Sequence, residues 1–322
     1  NISHSCVVID TGIFPHIDFC LGKNRVIKFI DLIGQSSDMY DDNGHGTHVC
    51  GVIGGNTIGI APECNIISIK ALEKSGSRGV GKTSWVCAGI RMAIDKGADI
   101  INMSLGGTSV KDELLLSVIQ EAVNEGIVVV CAAGNITGGN AKVFYPAAYD
   151  GVIAVSAVKK SEDSVTIDTS YSNYGSFVDI AAPGSRILSP IPDNYGYKSG
   201  TSMACPVISG AAALLLSKKS DLTNAQICEL MYDTAIDMGD SGRDDYYGNG
   251  VVDLVQMMEA YMEVYEPESA EESSSTEESS GKRLVFVFDE FQYARTLNES
   301  HEEVGKTGLR SVWSIIDSGI IN

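Results

Sequence analysis

Short runs of apolar, β-branched residues alternate along the chain with longer segments in which apolar residues recur every three to four positions. The short runs predict buried strands and the longer segments predict helices. The predicted strands are Cys6 to Ile9, Asn65 to Ala71, Ile100 to Ser104, Ile127 to Ala132 and Val152 to Ala157. The predicted helices are Thr83 to Lys96, Glu113 to Glu125, Ser202 to Leu216 and Asn224 to Tyr232. This alternation predicts an α/β fold with a doubly wound, mostly parallel sheet and helices on both faces.

Reactive side chains stand where the predicted elements begin or end. Asp10 directly follows the first strand, and Asn135 follows the strand that ends near Ala132. His45 lies between two glycines at the start of an apolar helical run, and Ser202 opens a helix, whose positive end suits developing negative charge. Ligands bind such sheets beyond the carboxyl ends of their strands. Taken singly, each residue also has a structural interpretation as a turn, packing or capping residue.

Four motifs contain these residues and follow one another along the chain: VIDTGI (8–13), HGTHVCG (45–51), AAGN (132–135) and GTSMACP (200–206). Together they closely resemble the Asp, His, oxyanion and Ser motifs of the subtilisin-like serine proteases, the subtilase family, in which the triad has this chain order. INMSLGG (101–107), VIAVSAV (152–158), AAPG (181–184) and YGNGVVD (247–253) extend the resemblance over roughly residues 5 to 265. The resemblance implies a subtilisin-like three-layer fold and hydrolysis of peptide bonds.

The resemblance also implies a role for each matched residue. Ser202 would be the nucleophile, His45 the base that later protonates the leaving amine, and Asp10 the carboxylate that orients the imidazole. Asn135 would donate to the oxyanion together with the main-chain N–H of Ser202. We expect His48 to be structural, because the motif assigns the base to the first histidine and no third ligand suggests a metal pair.

Subtilases bind protein or peptide substrates as an added extended strand, so the partner implied here is a polypeptide. The residues that match this binding role are Gly79, Val80, Gly81, Ser104, Leu105 and Gly106. The side-chain pocket would lie near Ala132, Ala133 and residues 143–146. Phe144 is bulky for the base of a deep pocket, so we do not expect a preference for large aromatic side chains. Ser104 and Gly106 are also typical of turns at strand ends.

Two other functional classes stay open. GSRGVGKT (76–83) fits the P-loop pattern, with Lys82 on phosphate and Thr83 on magnesium, and LVFVFDE (284–290) resembles a Walker B strand. The subtilase family has a glycine-rich substrate loop at the same place, which favours the protease interpretation. A binding-only pseudoprotease is the other alternative, although all four catalytic positions are filled.

Charge and composition narrow the range of partners. Acidic residues outnumber basic ones 42 to 23, which gives the 322-residue chain a net charge of −19. Such a surface repels phosphate backbones and anionic lipids, so we expect no nucleic-acid partner. No apolar run approaches the length of a membrane span; the longest are 127–133 and 211–216.

The eight cysteines are scattered singly, without a C-x-x-C pair or zinc-finger spacing, so no metal cluster is predicted. Several lie in apolar runs, where a free thiol behaves as a small hydrophobe, and we expect mostly buried free cysteines. Free thiols favour a reducing compartment or an anaerobic source. The resemblance instead implies a secreted or cell-surface protein.

Composition changes abruptly at Glu266, where a run of Glu and Ser extends to Gly281. Such a run cannot bury enough apolar surface to fold, so it predicts a linker. We therefore expect a catalytic domain at residues 1–265, a flexible linker at 266–281 and a segment of unknown role at 282–322. SIIDSGI (314–320) repeats the Asp motif around Asp317, but no His or Ser motif follows it, and we interpret it as coincidence.

The sequence departs from the family pattern in two further places. Only nine residues precede Asp10 and the chain begins without Met, so we expect a processed or truncated product whose pro-domain would be a second partner. The resemblance implies no cofactor for the chemistry. Many subtilases bind a structural calcium ion through a loop, but the matching stretch GGNTIGIAP (54–62) is shorter, so calcium is unsupported.

Overall fold

The structure is a computed structural model that describes residues 4–107, 111–136, 143–161 and 164–267, together with the backbone of two strands nearer the C-terminus. The strands are β1 (Ser5–Asp10), β2 (Val26–Asp31), β3 (Asn65–Lys70), β4 (Glu73–Ser75), β5 (Arg78–Val80), β6 (Ile100–Met103), β7 (Val128–Ala132), β8 (Val152–Lys160), β9 (Val165–Ile167), β10 (Ile180–Pro183), β11 (Ile187–Ile191), β12 (Asn194–Lys198), β13 (Arg283–Val287) and β14 (Tyr293–Leu297). The helices are α1 (His45–Gly54), α2 (Thr83–Asp95), α3 (Glu113–Asn124), α4 (Thr201–Lys218), α5 (Asn224–Asp233) and α6 (Leu254–Tyr265), with a 3-10 helix at Ile17–Phe19.

The central sheet follows the order β10-β8-β7-β6-β1-β3-β2, and these seven strands are parallel; β9 adds an antiparallel pairing to β8. Parallel sheets are buried on both faces, which explains the near-continuous apolar runs in the sequence. The predicted strands and helices are all present, within a few residues at their ends. The expected α/β fold is confirmed.

Alternate residues of β1 enter two separate cores. Cys6 and Val8 pack with α1, α4, α5 and α6 on one face, whereas Val7 and Ile9 pack with α2 and α3 on the other. All four side chains are fully buried. The period of two along a strand therefore produces three layers, with helices on both sides of the sheet.

Helix α4 is the central helix of the first core. Its length and composition would allow it to cross a membrane, although the sequence contains no apolar run long enough to predict a membrane span. However, 78% of it is buried inside the protein, which is typical of a core helix, so this is weak evidence for a span.

The predicted domain boundary at residue 265 coincides with the end of α6. Residues 268–281 of the Glu/Ser-rich linker and Asp317 lie outside the described residues. The assignment of the linker and of the segment after it therefore stays a prediction.

Candidate active site

At the carboxyl end of β1 the buried Asp10 pairs with His45, whose side chain is 24% exposed. His45 Nδ1 lies 2.7 Å from Asp10 Oδ1, which also accepts a hydrogen bond from the Thr11 main-chain N–H at 2.7 Å. Burial by itself lowers the pKa of His45, but the charge of Asp10 and its hydrogen bond outweigh this effect, so the pKa is raised above 6.5. The carboxylate therefore fixes the Nδ1–H tautomer and leaves Nε2 as the basic nitrogen.

Glycines allow α1 to approach the turn after β1. A Cβ at Gly46 would lie only 2.2 Å from the Gly12 carbonyl oxygen, and a Cβ at Gly12 would lie 2.3 Å from the Tyr40 carbonyl oxygen. Gly12 also has φ +116°, which an L side chain rarely adopts. The glycines of the VIDTGI and HGTHVCG motifs are thus required for His45 to reach Asp10.

Asp41 ties the same two segments together, although no local pattern in the sequence marks it. Its carboxylate accepts hydrogen bonds from Thr11 Oγ1 (2.8 Å), Gly44 N (2.8 Å), Thr47 N (2.9 Å) and Thr47 Oγ1 (2.6 Å). Burial raises the pKa of Asp41, but these hydrogen bonds outweigh burial and hold the pKa below its usual value. Asp41 therefore stays ionised and orients the first turn of α1, which begins with His45.

Ser202 lies in the first turn of α4, beside the end of β6. Its hydroxyl donates to the Ser104 carbonyl oxygen at 3.2 Å, and Ser104 Oγ donates to the Ser202 carbonyl oxygen at 2.9 Å. Pro206 has no N–H to donate to that Ser202 carbonyl, so the Ser104 hydroxyl replaces the missing helical bond. The hydrogen bond of the Ser202 hydroxyl among the described residues is the one to the Ser104 carbonyl oxygen and not one to His45.

Asn135 is oriented by Thr201. Asn135 Oδ1 accepts from Thr201 N at 2.8 Å and from Thr201 Oγ1 at 3.1 Å. Thr201 Oγ1 in turn accepts from Gly134 N at 3.1 Å. Because two donors hold the carbonyl oxygen, the Asn135 Nδ2 donor is left free of these contacts at the cleft that Asn135 lines. Thr201 is a second positioning residue that the sequence analysis did not identify.

A cleft of about 910 Å³ brings these groups together. His45, Ser202 and Asn135 line it, and Asp10 lies behind His45. The cleft is also lined by all six residues of the expected substrate-binding segments, Gly79, Val80, Gly81, Ser104, Leu105 and Gly106. Ala133 is fully buried and its carbonyl accepts from Asn173, whereas Ala132 lines the cleft.

The aromatic ring of Phe144 fills the space between two walls of this cleft. A Cβ at Gly106 would lie 2.4 Å from Phe144 Cε1, and a Cβ at Gly134 would lie 2.7 Å from Phe144 Cγ. The ring is therefore in close contact with both glycine backbones. Little room is left between Gly106 and Gly134 for a second large ring.

The P-loop-like segment forms a hairpin beside the cleft. Strand β5 pairs antiparallel with β4, so residues 78–80 are extended and do not wrap around a phosphate-sized space. The Lys82 ammonium lies 4.6 Å from the centre of the Trp85 ring. This geometry favours the substrate-binding interpretation over the nucleotide-binding one. The side chains of the Walker-B-like run at 284–290 lie outside the described residues.

His48 packs under the site. Its Nε2–H faces the Ile187 and Gly196 carbonyl oxygens at 2.9 and 3.1 Å, so it links α1 to the β11–β12 hairpin. The side chain is fully buried, and burial lowers its pKa to about 3. His48 is therefore neutral and structural in this geometry.

A buried carboxylate, Asp18, lies beside the stretch at 54–62 that matches the calcium loop, and one of its oxygens has no partner. Asp18 Oδ1 accepts from Thr57 N at 2.9 Å, while Oδ2 is buried without a partner and abuts Gly55. Ca²⁺ takes six to eight oxygen ligands, and the described residues contain no group of three or more His, Cys, Asp or Glu side chains that could hold a metal. Calcium binding at this loop therefore stays unsupported.

The eight cysteines are all free thiols. Six are buried, Cys228 is half-buried and Cys20 is exposed, in agreement with the expectation of mostly buried thiols. Burial raises the pKa of the Cys205 and Cys50 thiols in the core behind the site. These thiols are therefore protonated and unreactive at neutral pH.

Comparison with known proteins gives a consistent result. The family model described as the subtilase family matches residues 5–250. Subtilisin amylosacchariticus of Bacillus subtilis subsp. amylosacchariticus is 41% identical over 256 residues, which are 77% of this chain and 63% of that protein. Minor extracellular protease Epr of Bacillus subtilis (strain 168) is 38% identical over 252 residues, 76% of this chain and 37% of Epr. The crystal structure of a cold adapted subtilisin-like serine proteinase has a TM-score of 0.65 and 35% identity, and the match covers 77% of this chain and 86% of that one.

Proposed function

This chain belongs to the subtilase family, and from that premise and the geometry of the cleft we propose that it is a serine endopeptidase that acts on extended polypeptides. The observation that carries the proposal is the oriented pair of Asp10 and His45, which lies at the same cleft as Ser202 and an Asn135 amide held by Thr201. A base, a nucleophile and an oxyanion donor at one cleft are the groups that acyl transfer requires.

In the proposed reaction, Ser202 Oγ attacks the carbonyl carbon of the scissile bond while its proton passes to His45 Nε2. The electron pair of the carbonyl moves to its oxygen, to which Asn135 Nδ2 and the Ser202 N–H donate. Collapse of this intermediate breaks the C–N bond, and His45 protonates the leaving amine. A water molecule then attacks the carbonyl carbon of the acyl-enzyme while its proton passes to His45. The ester bond to Ser202 Oγ breaks, and His45 returns the proton to Ser202. Asp10 holds the Nδ1–H throughout and stabilises the imidazolium.

The substrate backbone would bind as an additional strand against β5. Within the described part of the chain this strand is paired only with β4, and its Val80 side chain is 47% exposed at the cleft. Main-chain hydrogen bonding of this kind depends little on which side chains the substrate carries. The Phe144 ring between Gly106 and Gly134 supports a preference for small side chains before the scissile bond.

Cleavage of an internally quenched peptide tests the activity. The unaltered chain should cleave it, and Ser202→Ala should lower kcat by about 10⁶-fold, the scale of nucleophile loss in subtilisin. Ser117→Ala is the matched control, because Ser117 is exposed on α3, away from the cleft. Equal cleavage by the Ser202 and Ser117 variants would contradict the proposal, and binding of the peptide without cleavage by the unaltered chain would favour a pseudoprotease.

We place the protein outside the cell, as a secreted or cell-surface enzyme. The support is membership of the family and the similarity to a relative named as an extracellular protease. Buried cysteines are compatible with an oxidising medium, because seven of the eight are at least partly shielded from oxidants. Detection of the protein in the medium of its source culture tests this placement, and retention in the cytoplasm would contradict it. A pro-domain as a second partner stays a prediction from the resemblance.

A further inference from the structure

A lysine is buried beside the end of the strand that carries Asp10. Lys70 is the last residue of β3 and lies opposite Asp10 in the parallel pairing of β3 with β1. Its side chain is only 2% exposed. Lysine is almost never fully buried unless its charge has partners, because removal of an ammonium group from water is costly. The contacts of this ammonium therefore indicate what the buried charge does.

The ammonium group of Lys70 has an acceptor for each of its three hydrogens. Nζ donates to the Thr11 carbonyl oxygen at 2.7 Å, to Asp42 Oδ1 at 2.8 Å and to the Leu72 carbonyl oxygen at 3.0 Å. The Tyr40 ring also faces the ammonium, with its centre 4.9 Å from Nζ. Since an ammonium has three donors and no acceptor, its hydrogen-bonding capacity is satisfied within the protein.

Thr11, which accepts the shortest of these bonds, also holds the carboxylate of Asp10. Its main-chain N–H donates to Asp10 Oδ1 at 2.7 Å, and the same oxygen lies 2.7 Å from His45 Nδ1. Thr11 is fully buried, so water cannot replace the lysine at its carbonyl oxygen. Because the N–H and the carbonyl belong to one residue, the bond from Lys70 helps to fix the donor that orients Asp10.

The ion pair with Asp42 holds a second segment, the loop before α1. Asp42 follows Asp41, whose carboxylate accepts from Thr11 Oγ1 and from the N–H and hydroxyl of Thr47 in the first turn of α1. Lys70 therefore binds on both sides of the contact between Thr11 and Asp41. One ammonium group thus connects the turn after Asp10 to the loop that leads to His45.

The third bond, to Leu72, lies where β3 leads toward the substrate-binding hairpin. At this point the N–H groups of Ala71 and Leu72 donate to the Asp10 carbonyl oxygen at 2.9 and 3.1 Å. These two bonds do not involve the lysine side chain, so they hold the end of β3 in place without it. Loss of the ammonium should therefore disturb the Asp10 side of the site more than the hairpin.

Resting on the proposed endopeptidase function, we propose that Lys70 is a positioning residue whose ammonium holds Thr11 and Asp42 so that the Asp10 carboxylate stays aligned with His45. The side chain of Lys70 is not among the described residues that line the cleft, so it acts through Asp10 and not on the substrate. A misplacement of about 1 Å at a catalytic group can lower the rate by about 10²-fold. The effect is therefore expected in kcat.

Lys70→Met tests the proposal, because it keeps an unbranched apolar stem and removes the charge and the three donors. For a quenched peptide, kcat should fall by about 10²-fold and KM should change by less than about threefold. The proton that Asp10 holds on His45 Nδ1 should lose or shift its low-field NMR signal. A role in stability alone would leave kcat and this signal unchanged in the folded variant, at denaturant-free conditions well below its unfolding temperature.

Lys159→Met is the matched control. Lys159 is also a strand lysine, pairs with Asp168 at 3.4 Å and is not among the described residues that line the cleft. The same substitution there should change kcat by less than about twofold and leave the NMR signal in place. A loss in Lys159→Met equal to that in Lys70→Met would show a general effect of charge removal and would overturn the assignment.

If Lys70→Met does not fold, Lys70→Arg decides the question. It keeps the positive charge opposite Asp42, but a planar guanidinium cannot place donors on the same three oxygens, so kcat should fall by at least about threefold. An unchanged kcat in that variant, or in a folded Lys70→Met, would overturn the role of Lys70 and leave the endopeptidase function intact. Failure of the unaltered chain to cleave the peptide would overturn both proposals.

Discussion

Ser104 and Ser202 are joined by two hydrogen bonds that run in opposite directions: each hydroxyl donates to the main-chain carbonyl oxygen of the other residue, at 2.9 and 3.2 Å. The bond from Ser104 satisfies the carbonyl that Pro206 leaves open in α4. The bond from Ser202 directs its O–H toward the Ser104 carbonyl oxygen. The strand end proposed to bind substrate is thus coupled directly to the helix that carries the proposed nucleophile.

The first prediction concerns this reciprocal pair. Ser104→Ala leaves the Ser202 carbonyl without its donor, so the free energy of unfolding should fall by about 1–3 kcal/mol. We expect kcat to fall by about tenfold, because the first turn of α4 is no longer fixed. Ser104→Thr keeps the hydroxyl and is the control. Urea titration and peptide kinetics measure the two effects, and an Ala variant with unchanged stability and kcat would refute the coupling.

The second prediction concerns Thr201, which orients the Asn135 side chain. Thr201→Val removes the hydroxyl that holds Asn135 Oδ1, and kcat should fall by about tenfold with little change in KM. Asn135→Ala should lower kcat by about 10²- to 10³-fold, the range for loss of one oxyanion donor in subtilisin. The double variant should have almost the same kcat as Asn135→Ala alone, because Thr201 acts on kcat through Asn135. Fully additive losses would show that Thr201 acts independently.

The third prediction is the acidic limb of the pH profile. His45 must be neutral to accept a proton, so kcat/KM should decline as the pH falls through its raised pKa. Asp10 and Asp41 raise that pKa, whereas Lys198 lowers it. Lys198→Gln should therefore move the limb to higher pH, and Asp10→Asn should move it to lower pH with a large loss of kcat. The pH dependence of kcat/KM for a peptide without charged side chains measures both shifts, and displacement in the opposite direction would contradict the electrostatic assignment.

The fourth prediction concerns acid stability. In the unfolded chain His48 gains a proton near its ordinary pKa of 6.5, whereas the folded protein resists protonation until about pH 3. The unfolded state therefore binds more protons across this range, and stability should fall by up to about 1.4 kcal/mol per pH unit as the pH decreases. His48→Gln cannot titrate and should show a shallower decline between about pH 6 and pH 4. Denaturant midpoints at each pH measure the slopes, and identical slopes would rule out this role of His48.

The fifth prediction concerns the Phe144 ring, which lies between Gly106 and Gly134. Phe144→Gly should open the space between Gly106 and Gly134, so kcat/KM for a peptide with Phe before the scissile bond should rise at least about tenfold relative to one with Ala. Phe144→Leu should give an intermediate ratio. A preference for Phe that is already strong in the unaltered chain would show that the ring does not limit the pocket.

The sequence predicts the parallel sheet and the four residues at its edge because local signals mark them. Each apolar run is short, and Asp10 and Asn135 follow directly where a run ends. The edge strand β2 gives no such signal, since its Ile27 and Lys28 side chains are exposed and its pattern is mixed. Strand β10 is too short, at four residues, for periodicity to identify.

The positioning residues are invisible in the sequence because their contacts are long-range. Thr201 Oγ1 accepts from Gly134, 67 positions away, and Asp41 accepts from Thr11, 30 positions away. Lys70 is the extreme case: a lysine in a strand suggests exposure, yet its side chain is 2% exposed. Its Nζ donates to the Thr11 and Leu72 carbonyl oxygens and to Asp42. Only the folded chain reveals these acceptors.

The most direct test of the account is covalent labelling with a fluorophosphonate, followed by mass-spectrometric mapping of the modified peptide. The convergence of Asp10, His45 and Ser202 predicts one phosphonyl group per chain, located on Ser202, and a labelling rate at least about 100-fold lower in Asp10→Asn. Label on any other residue, or an undiminished labelling rate in Asp10→Asn, would contradict the proposed triad.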